Sequence, residues 1–196
     1  GFTNELGFEI FSDGFKTDHL ALWDHISECG KPYGMQFSAS RAMTIRRIEG
    51  GIFGNLTDID TTITPFEAGL GNFVNMDKDF IGRDALIDKD RRTCLFGITC
   101  KSAIPSAKSK IKYKGRDIGF ITAGVPSPTL QQGIGYVRFY NPGDWKDKEV
   151  ELLLPDKSSH KGIIVDLPFY DKEKKIVKGI DRSIPSKPDN ISFDAK

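Results

Sequence analysis

The chain has 196 residues, with 28 Lys+Arg against 27 Asp+Glu for a net charge of +1, and 38% apolar and 11% aromatic side chains. That length fits one large domain or two small ones and buries enough surface to fold without a disulfide or metal staple. The dispersed Gly and Pro exclude collagen-like and low-complexity classes; no apolar run nears the roughly 18 residues of a membrane span and no signal-peptide pattern is seen, so a globular, cytoplasmic protein is expected.

The turn-rich Gly1-Phe2-Thr3-Asn4-Glu5-Leu6-Gly7 leads into Phe8-Glu9-Ile10-Phe11, whose alternation predicts a short strand. After Ser12-Asp13-Gly14, Thr17 is placed to cap a helix over residues 18–29, with Leu20, Trp23 and Ile26 on one side, Gly30 as a stop and Pro32 beyond. A second helix is expected over residues 38–48, where Ala42, Ile45 and Ile48 align, ended by Glu49-Gly50-Gly51. The loop-rich stretch that follows holds a possible strand at residues 68–76 and a short helix start at residues 82–86. The charged run Asp88-Lys89-Asp90-Arg91-Arg92 is read as a domain boundary.

Beyond it the pattern changes. Six short strands are predicted at residues 93–99, 110–114, 117–123, 133–140, 149–154 and 162–167, separated by turn signals such as Lys114-Gly115-Arg116, Pro126-Ser127-Pro128 and Asn141-Pro142-Gly143. Little helix lies between them, which reads as a small barrel or sandwich. Residues 171–196 form a charged, Pro-containing tail, expected to be peripheral or partly disordered.

Charge is unevenly placed. Residues 1–90 carry 15 acidic and 8 basic side chains, net −7, and residues 91–196 carry 12 and 20, net +8. Two mutually attracting units, a bipolar ligand or simply solvated faces all fit that split. The basic half lacks dense Lys/Arg clusters among exposed aromatics, so nucleic acid is not an expected partner.

The residue chemistry is sparse. His19 and His25 are six apart in one predicted helix, about 240° around its axis, where zinc helices place ligands four apart; His160 stands alone, and no metal site is expected. No G-x-S-x-G elbow and no phosphate loop occurs. Asp58 and Asp60 are either a working carboxylate pair or turn-forming residues. Cys29, Cys94 and Cys100 are expected as buried, reduced thiols. Glu9 stands out: flanked by Phe8 and Ile10 on a half-buried strand, it needs donors or a ligand, unless it lies on the solvent face. A planar heterocycle with adjacent ring N–H and amino groups offers one carboxylate two parallel donors, as Arg does.

Several segments, in order, resemble the aminomethyltransferase family, that is, the glycine cleavage T-protein and its folate-dependent methyltransferase relatives. They are residues 1–10, Arg47-Ile48-Glu49-Gly50-Gly51, Asp58-Ile59 leading to residues 64–71, residues 79–86, Gly119–Gly124 with Ser127–Leu130, and Val165–Phe169. The resemblance covers residues 1–170 and implies an α+β folate-binding region (partial) over residues 1–90, followed by a small all-β barrel domain over residues 91–170. It implies a tetrahydrofolate-dependent aminomethyl or methyl transferase that moves a one-carbon unit from a small amine or methylated donor to folate.

By the same resemblance Glu9 matches the carboxylate that bonds the pterin ring. Phe2 falls where the family has a folate-contacting tyrosine, keeping the aromatic face and losing the hydroxyl. Where the family reads Ala-Arg-Asp, this chain has Ala42-Met43-Thr44, so the folate-holding arginine is missing there and Arg41 or Arg46 is left to compensate. That moves the expectation away from a strict glycine-cleavage assignment. The family's catalytic aspartate falls ahead of residue 1; the expected partner is therefore the N-terminal segment, upstream or as a second chain, without which this fragment should be inactive. Two further readings of the resemblance are the C-terminal part of a flavin-dependent dimethylglycine or sarcosine-type dehydrogenase, and a non-enzymatic folate-binding iron–sulfur assembly factor. Around Arg47–Phe53 the chain lacks the cysteine of the assembly factors. A basic C-terminal half would also suit the acidic glutamyl tail of folate.

Overall fold

Two helices and a run of tight turns precede six strands that close on themselves. The computed structural model describes residues 1–183. Helix α1 spans His19–Gly30 and α2 spans Ser40–Glu49. The strands are β1 (Leu95–Cys100), β2 (Lys110–Tyr113), β3 (Arg116–Ser127), β4 (Gln132–Phe139), β5 (Glu149–Leu153) and β6 (Ser159–Val165). They form a closed barrel in the order β1-β4-β3-β2-β5-β6, with every pair antiparallel. The chain is thus helical in its first part and an all-β barrel in its second. All six predicted strands are present.

Alternation builds the barrel. Phe96, Ile98 and Cys100 of β1, Ile111, Ile121, Val137, Phe139, Val150, Leu152 and Ile164 fill its interior. The opposite face of β4 is covered as well: Ile134 and Tyr136 join Val125 and Ile48 of α2 in a second core between helix and barrel wall. Strand β4 therefore reads as an almost continuous apolar run, as expected of a strand buried on both faces. Closure also requires the 103–105 loop to lie flat on β3 and β4. A Cβ at Gly124 would sit 1.8 Å from the Pro105 carbonyl oxygen, and one at Gly133 2.1 Å from that of Ala103, so both positions exclude a side chain.

Several expectations are corrected. Residues 8–11 form no strand: no described strand lies alongside to pair with them, and Phe8 is 92% exposed. Asp18 rather than Thr17 caps α1, its Oδ1 accepting from the Ala21 amide at 3.0 Å. Residues 68–76 contain a single 3₁₀ turn at Gly71–Phe73, and the expected helix start at 82–86 is a 3₁₀ turn at Asp84–Leu86. Strand β3 runs through Pro126 to Ser127 where a turn was expected. Cys94 and Cys100 are buried, but Cys29 is exposed on α1, its Sγ 3.7 Å from His25 Nε2 one turn earlier. The beginning of the tail is folded: residues 170–181 turn back onto the end of α2. The rest of the expected tail, residues 184–196, lies outside the described residues. No helix among the described residues is long and apolar enough to cross a membrane.

Candidate functional site

The residues singled out from the sequence lie on the helical side of the molecule, in unequal settings. Phe2 is half exposed, 5.9 Å beneath the Arg47 guanidinium. Glu9 is exposed, with no hydrogen bond or ion pair to any described residue, which corrects the expectation of a half-buried carboxylate. Its neighbours Phe8, Ile10 and Phe11 are exposed too, because the described chain provides no surface for them to pack on. Arg41 stands exposed in the first turn of α2. Of the two arginines left to compensate at Met43, Arg46 is already committed elsewhere.

That commitment belongs to a polar junction at the end of α2. The last turn of the helix buries Arg47, Ile48 and Glu49 against β3 and β4. Glu49, fully buried, accepts from Ser127 Oγ at 2.5 Å, from the Thr129 amide at 3.2 Å and from Thr129 Oγ1 at 3.0 Å, and also pairs with Arg46. The other arm of Arg46 reaches Glu5 in the N-terminal loop. Burial pulls the Arg46 guanidinium down, but bonding to Glu5 and the charges of Glu49 and Glu5 outweigh it and hold it above its ordinary value.

Arg47 forms the second half. Its Nη1 donates to Asp58 Oδ2 at 2.8 Å and to the Ile52 carbonyl at 2.9 Å. Asp58, 1% exposed, also accepts from the Gly54 amide at 2.7 Å and from Thr122 Oγ1 at 2.7 Å. Thr122 reaches it because the register of β3 slips between Ile121 and Ala123, a bulge that turns this side chain toward the 52–62 loop. Tyr136 places its hydroxyl 3.1 to 3.3 Å from the carbonyls of Ile52, Ile48 and Arg47, and burial pushes its ionisation far above the usual range. Asp58 and Asp60 are not a pair with shared chemistry. Asp60 instead bonds Thr62 and sits 3.3 Å from Arg138, and Thr62 holds its carboxyl below the usual value.

A cleft of about 460 Å³ opens on the outer wall beside that second pair, lined among others by Asp60, Glu67, Cys94, Arg138 and Tyr140. Burial, with the charge of Glu67, pushes the Cys94 thiol up to about 11, which keeps it protonated. His160, near the start of β6 and away from this cleft, lies with both ring nitrogens 3.0 Å from serine hydroxyls, those of Ser102 and Ser158. No group of three or more His, Cys, Asp or Glu side chains among the described residues is arranged to hold a metal ion.

Sequence reasoning missed the junction itself. The signal was present in Arg46-Arg47 and Glu49, charges clustered in the one turn of α2 that precedes a glycine stop and must pack on the barrel.

Comparison with known proteins agrees with this architecture. Residues 1–78 match the family model described as the GCVT N-terminal domain, and residues 91–171 match the glycine cleavage T-protein C-terminal barrel domain. The chain belongs to the aminomethyltransferase family. An aminomethyltransferase of Alkaliphilus oremlandii is 40% identical over 182 residues, covering 89% of this chain and 48% of that protein. The aminomethyltransferase of Caldanaerobacter subterraneus subsp. tengcongensis is 35% identical over 183 residues, covering 89% and 47%. This family member therefore spans about half the length of the curated relatives it matches. The crystal structure of the glycine cleavage system aminomethyltransferase T from Bartonella henselae shares its fold, with a TM-score of 0.66 and 21% identity over 76% of this chain and 44% of that one.

Proposed function

We propose that the chain is the C-terminal part of a tetrahydrofolate-dependent aminomethyl or methyl transferase, and that residues 1–90 supply one wall of its folate pocket while the barrel of residues 91–170 backs it. The observation that carries this reading is the match of residues 1–78 to the GCVT N-terminal domain and of residues 91–171 to the C-terminal barrel domain; the resemblance puts the pterin-binding carboxylate at Glu9. Its carboxylate has no partner among the described residues and stands among the exposed faces of Phe8, Ile10 and Phe11. An unpartnered carboxylate suits the edge of a flat heterocycle that offers two adjacent N–H donors, and exposed aromatic side chains beside it in the chain suit its face. Phe2 adds a half-exposed ring at the start of the same segment, and Arg41 an exposed cation on α2, without an ion pair among the described residues, for an acidic group.

The chemistry of these side chains fits the group. Tetrahydrofolate, when bound, supplies the nitrogen that accepts the one-carbon unit. The residues named here would bind and orient it; the acid that stabilises developing charge would come from the N-terminal segment. Rate enhancement would then rest on holding donor and folate in register.

Glu9→Gln tests this. It exchanges a charge-assisted acceptor for a neutral one of the same shape, so tetrahydrofolate affinity of the intact polypeptide, measured by equilibrium titration, should fall between about tenfold and a hundredfold. The melting temperature should not change, because Glu9 bonds none of the described residues. Unchanged affinity would remove the pterin-edge role and with it the main support for a folate pocket on this wall.

A further inference from the structure

The C-terminal turn that follows the barrel reaches back to the other end of the chain. Tyr170 donates its amide to the Glu49 carbonyl at 3.0 Å, and its ring lies 5.1 Å under the Arg46 guanidinium. Asp171 then closes a compact turn, its carboxylate accepting from the amides of Lys175 at 2.8 Å and Ile176 at 3.0 Å. This turn aims Lys174 inward. Its Nζ donates to Asn4 Oδ1 at 2.8 Å and to the Gly50 carbonyl at 2.9 Å, at the C-terminal end of α2 where the helix dipole favours a cation.

Asn4 is the centre of the contact. It is 3% exposed, has a positive φ of 57° and lies flat on Gly50, where an added Cβ would come within 2.4 Å of its own. The ammonium dictates which way its amide faces, since only the oxygen can accept. Its Nδ2 is consequently buried without a partner among the described residues, a cost offset by the bond from Lys174 to the oxygen.

We infer that Lys174 is a positioning residue: it latches the N-terminal loop of residues 1–6 onto the end of α2 and thereby sets where Phe2 presents itself to the ligand. The inference rests on the folate reading above for its functional half. Three cations hold this loop, Arg47 over Phe2, Lys174 on Asn4 and Arg46 on Glu5. The two arginines also neutralise buried carboxylates, Asp58 and Glu49, so their removal disturbs the junction as a whole. Lys174 touches no buried carboxylate among the described residues. Its loss removes one of the three ties, loosening the loop, and leaves the barrel intact.

Lys174→Met, with Lys174→Arg as the conservative variant, tests both halves in the intact polypeptide. Cleavage by a Glu-specific protease after Glu5, followed by mass spectrometry, should accelerate at least tenfold in Lys174→Met, with the main melting transition unmoved and Lys174→Arg closer to the parent. Tetrahydrofolate affinity should fall severalfold in step. Unaltered cleavage after Glu5 overturns the latch, whatever the fate of the folate reading. Faster cleavage with unchanged affinity, in a protein where Glu9→Gln does weaken binding, overturns the positioning role alone. If Glu9→Gln is also without effect, the folate reading falls and takes the functional half of the inference with it.

Discussion

Arg47 and Asp58 show how a single pair can govern this molecule. Both are buried, 2.8 Å apart; Asp58 also accepts from the Gly54 amide and the Thr122 hydroxyl, and Arg47 also donates to the Ile52 carbonyl. Removing one member strands the other in a dry environment, which costs far more than the pair contributes on balance. Arg47→Met should therefore destabilise the protein by about 3–5 kcal/mol. Adding Asp58→Leu should return part of that loss. A double-mutant cycle read by urea denaturation checks it, and a coupling below about 1 kcal/mol would show that water reaches the pair. Neither residue announces this in the sequence. Asp58 sits in a stretch of turn formers, so its local context argues for a turn, and its partner is a helix residue eleven positions earlier whose burial follows only from the packing of α2.

The elements divide by how locally their rules operate. The strands of the barrel follow period-2 alternation and turn residues, which neighbouring positions supply, and all six were legible. Residues 8–11 have the same alternation without a neighbouring strand, and pattern alone does not make a ladder. Helix α1 is amphipathic in sequence yet fully buries none of its residues: Trp23 packs edge-on against Phe37 at 6.0 Å, Ile26 is half-buried and Leu20 is exposed. The bulge in β3 was invisible beforehand, since nothing in Ile121-Thr122-Ala123 marks a slipped register. It matters because it converts a strand residue into the tie between barrel and loop. Thr122→Val keeps the shape and the strand preference and removes only the hydroxyl that donates to Asp58, so a loss of about 1.5–3 kcal/mol is expected. The measurement is the urea midpoint at unchanged m-value. A shift under about 0.5 kcal/mol would mean that the bulge is held by the ladder and owes nothing to Asp58.

Across the whole molecule, order is unequally distributed. The barrel has two buried clusters and a closed ladder, whereas residues 5–12 donate no backbone hydrogen bond among the described residues. Amide exchange should follow this division: the slowest amides in β1, β3 and β4, and residues 7–12 exchanging near the rate of an unstructured chain. Slow exchange across residues 7–12 would contradict the exposure of Glu9 and its neighbours. The same unevenness places the proposed ligand surface on the least protected part of the chain, held to the most protected part through Arg46, Arg47 and Lys174.

The sequence by itself determined the six strands, the two helices and the order of family segments, because alternation and glycine stops act between near neighbours; closure of the strands into a barrel was settled by their pairing. Tertiary structure alone decided which charges are buried, that Arg46 answers Glu5 forty-one positions away, that the presumed tail returns to Asn4, and that Glu9 lies open to solvent. Those outcomes depend on desolvation, and desolvation is set by whatever the folded chain brings alongside, which no local pattern specifies.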